Sequence, residues 1–105
     1  MAINLSVLED IKKKIAKTED DFMAVMLEKV KERTPVDTGY LQARWQIAKT
    51  DDGYEFSNDA PYAGFVEFGH ETRNHESFVP PVNMAGLTIL EAPKHMADAI
   101  KRNFS

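Results

Sequence analysis

With 105 residues, 43% of them hydrophobic and 29% charged, the chain has the length and composition of one globular domain rather than of a disordered or low-complexity segment. Its net charge of −4 and pI near 5.3 speak against a domain that grips DNA by neutralising phosphates, and the absence of cysteine excludes disulfides and thiolate chemistry. No apolar stretch approaches the ~20 residues that span a bilayer, and charges interrupt Leu5 to Ile15 too often for a signal peptide, so a soluble single domain over residues 1–105 is expected, away from any membrane.

The first third reads as a helix. Ser6 with Glu9 has the form of a capping box, and Leu8, Ile11, Ile15, Phe22, Val25, Met26 and Val30 recur at helical spacing as one apolar stripe. Pro35 ends it, because a residue before proline avoids helical dihedrals. A helix from Ser6 to Arg33 would be about 42 Å long, more than a compact domain of this size can cover at a radius of gyration of about 13 Å. Its end must therefore pack on another copy or partner, unless Thr18 and Asp21 form a second cap that breaks it. Lys12-Lys13-Lys14, set among acids, is read as a solvated face.

Beyond Pro35, Asp37 or Thr38 can cap a short turn over Tyr40 to Arg44, with Gly39 permitting a tight corner. Trp45–Lys49 and Tyr54–Ser57 read as two strands joined at Asp51-Asp52-Gly53, and Asn58-Asp59-Ala60-Pro61 as a further turn. Tyr62 to Phe68 suits a short buried helix, and Gly69 to Ser77 an exposed loop. The apolar run from Phe78 through Leu90 is expected to return a strand to the sheet, with Pro80-Pro81 confining it to the portion after them or to an edge. Pro93 opens a last helix whose buried stripe is Ala92, Met96, Ala99, Ile100 and Phe104. The fold class is α+β: a long N-terminal helix, a small antiparallel sheet built on a hairpin, a short middle helix and a C-terminal helix.

Chemistry is sparse. His70-Glu71-Thr72-Arg73-Asn74-His75-Glu76 resembles His-Glu-x-x-His, but histidines five apart point about 140° away from each other on a helix and cannot share a metal. A metal-dependent enzyme using His70, His75 and Glu76 is the weaker alternative, and an exposed loop is preferred. Asp37 and Glu67 could form an acid pair, yet Asp37 reads better as a cap. Glu67 sits in an apolar stretch and should face solvent, meet a cation such as Arg44 or make an intersubunit contact. His95 reads as a partly exposed surface residue. No phosphate-binding glycine loop or Ser-His-Asp set is present, so no catalytic, metal or cofactor residue is assigned and no cofactor is expected.

Two blocks carry a resemblance. Thr34-Pro35-Val36-Asp37-Thr38-Gly39-Tyr40-Leu41-Gln42-Ala43-Arg44-Trp45, followed by Asn58-Asp59-Ala60-Pro61-Tyr62-Ala63-Gly64-Phe65-Val66-Glu67-Phe68-Gly69, resembles the tail-component, or tail completion and head–tail joining, proteins of tailed bacteriophages, to which the lambda-type minor tail protein Z is related. The stretch after Gly69 departs from many relatives, which carry an Ala/Arg-Pro-Phe segment before the last helix. In residue terms the blocks make a corner: Pro35, Asp37, Thr38 and Gly39 stop and turn the chain, Leu41 and Trp45 anchor the core, and Tyr62, Phe65, Val66 and Phe68 face them before Gly69 leads into the loop. The resemblance implies a non-enzymatic virion protein, assembled in the host cytoplasm, that joins or terminates the tail at the neck. It implies a homo-oligomeric ring, commonly a hexamer, contacting neck, connector or tail-tube proteins and passing DNA without tight binding. The contacts are expected on Leu8, Ile11, Ile15, Glu67, His70, Arg73 and His75. The alternative is a host- or partner-interaction module without catalysis.

Overall fold

A computed structural model describes residues 5–36, 39–71 and 78–105. Helix α1 (Leu5–Glu32) is continuous. Thr18 does not cap a break; its hydroxyl donates to the Lys14 carbonyl at 2.7 Å within the helix. After α1 come a single turn α2 (Tyr40–Ala43), a hairpin of β1 (Trp45–Thr50) and β2 (Gly53–Asn58), and α3 (Ala63–Phe68). A two-residue ribbon of β3 (His70–Glu71) with β4 (Phe78–Val79), α4 (Met84–Leu90) and α5 (Ala92–Phe104) complete the chain. The architecture is α+β.

The hairpin register pairs Trp45 with Asn58 and Thr50 with Gly53, leaving Asp51-Asp52 as the two-residue turn. The returning strand expected after the prolines does not form. Val82–Leu90 is mostly helix α4, and β4 precedes Pro80, where it pairs with β3 in a ribbon separate from the β1–β2 sheet. A proline lacks the N–H a ladder needs, so the strand ends before the pair.

Two apolar clusters hang on the C-terminal half of α1. Val30 packs with Leu41, Trp45, Ala60 and Met84, and Phe22 with Met26 and Ala99. Phe22 also meets Tyr54 with ring centroids 4.9 Å apart. Helix α5 runs antiparallel to α1: Glu91 at its start bonds Arg33, while Asn103 near its end donates to Asp21 at 3.0 Å and Phe104 lies under Lys14. Residues 5–13 thus project beyond α5, and the radius of gyration is 18.5 Å against about 13 Å for a compact chain of this length. The stripe that began at Leu8 is consequently split. Thr18, Phe22, Met26 and Val30 are buried, whereas Leu8, Ile11 and Ile15 are exposed. The last helix differs from expectation too: Ile100 and Phe104 are exposed, and His95, expected near the surface, is buried.

Candidate assembly surfaces

The corner between α1 and the hairpin is built by short polar side chains. Thr34, buried just past the helix, donates its hydroxyl to the Val30 carbonyl at 2.7 Å and accepts the Trp45 indole N–H at 2.8 Å. Gln42 donates to the Lys31 carbonyl at 3.1 Å, satisfying another helix-end acceptor. Asn58 donates to Leu41 O at 2.9 Å and accepts from Ala60 N at 3.0 Å, which ties α2 to the turn after β2. Gly39, at φ 73°, precedes α2 in a left-handed conformation that a side chain would strain. Leu41 and Trp45 are buried together in the first cluster, and Pro35 is exposed. Asp37 and Thr38, read as caps, and Arg73 and His75, read as contacts, lie outside the described residues.

Helix α3 inverts the expectation of a buried apolar segment. Its apolar residues Phe65 and Phe68 are 60% and 73% exposed, Tyr62 beside it is also exposed, and the residue it buries is Glu67. From α3, Ala63 and Val66 pack against the core. The Glu67 carboxylate accepts the backbone N–H groups of Ala85 and Gly86, each at 2.9 Å. These are the second and third residues of α4, whose preceding residue Asn83 (φ 55°) makes no side-chain cap. Glu67 therefore does the capping from a different helix, and its negative charge suits the positive end of α4. Arg44, the cation suggested for it, instead pairs with Asp59 at 2.8 Å and lies over the Tyr40 ring. A carboxylate used in this way is part of the chain's own fold. Gly69, at φ 77° and ψ 174°, then occupies a conformation open essentially to glycine alone and turns the chain into β3. His70, exposed at the start of β3, has its ring 5.5 Å from that of Phe65.

A second polar cluster clamps α1 to the last two helices. Arg33 donates to Thr88 Oγ1 at 2.9 Å and to Glu91, while His95 Nε2 lies 3.2 Å from the other Glu91 oxygen. The Arg33 hydrogen bond, followed by that of His95, holds the Glu91 carboxyl below its usual range. Asp21 is likewise lowered, first by Asn103 and then by Lys17. On the hairpin, Glu19 accepts from Lys49 and raises its pKa, and burial raises that of Tyr54. Among the described residues no three His, Asp or Glu side chains gather so as to hold a metal, and no helix is long and apolar enough to cross a membrane.

What the arrangement offers outward is apolar surface. One groove, of about 340 Å³, lies between α1, α5 and the hairpin and is lined by Ile15, Tyr54, Met96, Ile100 and Phe104. Another, of about 390 Å³, lies where the hairpin meets α3 and α4, with Trp45, Phe56 and Gly86 on its lining and Phe68 and Ile89 exposed beside them. The overhang of α1 adds exposed Leu5, Leu8 and Ile11.

Residues 2–69, from α1 through the corner, the hairpin and α3, match the family model described as "Bacteriophage HK97-gp10, putative tail-component". This chain belongs to that family. The tail-component protein is accordingly a structural protein of a tailed bacteriophage and a part of the virion. Comparison with characterised proteins and with solved structures gives no match for it. The matched segment ends at Gly69, so the β3–β4 ribbon and helices α4 and α5 lie beyond it.

Sequence reasoning singled out Glu67 but not its role as the cap of α4, and it missed Thr34 and the Arg33–Glu91–His95 cluster as structural polar groups. For Glu67 the signal was a carboxylate inside an apolar run; Asn83, an ordinary capping residue just before α4, gave no sign that the cap would come from elsewhere.

Proposed function

We propose that this tail component joins or terminates the tail at the head–tail neck, acting without catalysis or cofactor as one subunit of a ring around the DNA channel. The observation that carries this reading is the α1 overhang, on which Leu8 and Ile11, with Ile15 at its base, are exposed. A tail component with such a helix is suited to repeated contact with identical neighbours, and a head-to-tail contact that closes gives a ring, sixfold in this reading. Neck, connector or tail-tube proteins are the further partners. The net charge of −4 supports a channel wall that lets DNA pass, because few phosphates would be neutralised. Assembly takes place in the host cytoplasm, before the tail docks to the head.

Electron microscopy of particles from a phage lacking this gene tests the reading. Filled heads beside separate or overlong tails are expected, whereas normal virions would overturn it. Tight binding of duplex DNA by the purified protein at ~150 mM salt would overturn the passive-channel part alone.

A further inference from the structure

We infer that the α1 overhang of one copy lies in the Phe68–Ile89 groove of the next, so that identical chains join head to tail. The inference rests on the ring reading above and names the surface that receives the helix. Leu8, Ile11 and Ile15 stand at i, i+3 and i+7 and form one exposed stripe, the pattern of an amphipathic helix that lays its apolar face into a groove. The groove shares Trp45, Phe56 and Ala85 with the cluster around Val30. Leu8 is about 33 Å from Val30 along the axis of α1. The two surfaces therefore cannot cover each other within one chain, and a second copy covers both at once.

Charge favours contact between unlike parts of two copies. Residues 5–17 carry four lysines against two acids, which leaves nine basic and fifteen acidic residues for the rest of the chain. A basic overhang is thus complementary to the acidic body of another copy. A head-to-tail contact uses two different patches, so its repetition closes into a ring when the rotation permits.

The absence of native cysteine makes the test direct. In the full chain carrying Leu8→Cys and Phe68→Cys, oxidation should give covalent oligomers, while Leu8→Cys alone should stay unlinked. Sedimentation of Ile11→Asp and Ile89→Asp should show each to be monomeric, with self-association weakened roughly thirtyfold or more, as for loss of a hot-spot residue. Mixed together, the two variants retain one intact pair of surfaces and should form a one-to-one dimer. Phe68→Glu is the second groove variant should Ile89→Asp fold poorly. Efficient Leu8–Leu8 cross-linking, undisturbed assembly of the groove variants, or a parent chain that stays monomeric at millimolar concentration would overturn the contact. None of these results alters the virion phenotype, so the neck reading stands or falls separately.

Discussion

Trp45 donates its indole N–H to the Thr34 hydroxyl at 2.8 Å, across eleven residues of chain that turn from the end of α1 to the start of β1. Because Thr34 passes its own proton to Val30 at 2.7 Å, the helix end, the corner and the hairpin are joined in one relay through buried groups. Thr34→Val keeps the shape but leaves the buried indole N–H without its acceptor, which should cost about 1–3 kcal/mol. Thr34→Ser, which retains the hydroxyl, should cost clearly less. Urea unfolding followed by the fluorescence of the single tryptophan measures both, and equal losses would show that the relay contributes little.

Glu67 should behave as a cap. Glu67→Ala removes the acceptor of two half-buried backbone N–H groups and should lower stability by about 1–2 kcal/mol, with Glu67→Gln losing less because its carbonyl still accepts one. Amide exchange at Ala85 and Gly86 gives the specific check: protection there should fall before it falls elsewhere in α4. Unchanged protection in Glu67→Ala would place the carboxylate outside the capping role.

The long helix, the hairpin, the corner glycine and the last helix were legible in the sequence because each rests on local chemistry: 3.6-residue spacing, a two-residue turn, a proline at a helix start. What failed was burial. Leu8 and Phe22 occupy the same stripe, and only the position of α5 decides that one is covered and the other is not. Phe68 and Glu67 are adjacent, and hydrophobicity alone puts the phenylalanine inside, whereas the uncapped end of α4 draws the carboxylate in instead. The strand expected after Pro81 failed for a similar reason, since an apolar run of that length fits helix or strand equally. As for function, the exposed stripe could be anticipated from the helix's length, but the groove at Ile89 depends on the packing of three elements and leaves no pattern in the chain.

That contrast between core and surface can be measured. Met84, fully buried, should lose about 2–5 kcal/mol on substitution by alanine. Phe68→Ser, at a position 73% exposed, should change monomer stability by no more than about 0.5 kcal/mol. Comparable losses at the two sites, read from denaturant midpoints at equal slope, would return Phe68 to the core.

Acid should loosen the clamp between α1 and α5. The carboxyls of Glu91 and Asp21 titrate below their free values of 4.5 and 3.8 because Arg33 and His95 bond one, and Asn103 and Lys17 the other. A carboxylate depressed in the folded state adds stability above its unfolded pKa and loses that contribution as pH falls through the folded value. The advantage of the parent over Glu91→Gln should therefore shrink as the pH is lowered from about 5 towards 3. Equilibrium unfolding of both proteins across that range checks the sign, and an advantage that grew on acidification would contradict the assignment.

Deleting everything before Lys14 separates folding from assembly. Both apolar clusters and the interhelical bonds at Asp21 and Arg33 lie C-terminal to the cut, and the described ion pair within the removed part is the exposed Lys12–Glu9 contact. Thermodynamic stability of the dilute protein should accordingly change by less than about 0.5 kcal/mol. Self-association should disappear, because Leu5, Leu8 and Ile11 go with the segment while no new apolar surface replaces them. Sedimentation and urea unfolding on the same sample read the two effects independently. A shortened chain that assembles like the parent would show that the overhang is dispensable. Loss of stability together with assembly would show instead that residues before Lys14 belong to the fold. Only loss of assembly with the fold intact assigns them to the contact between subunits.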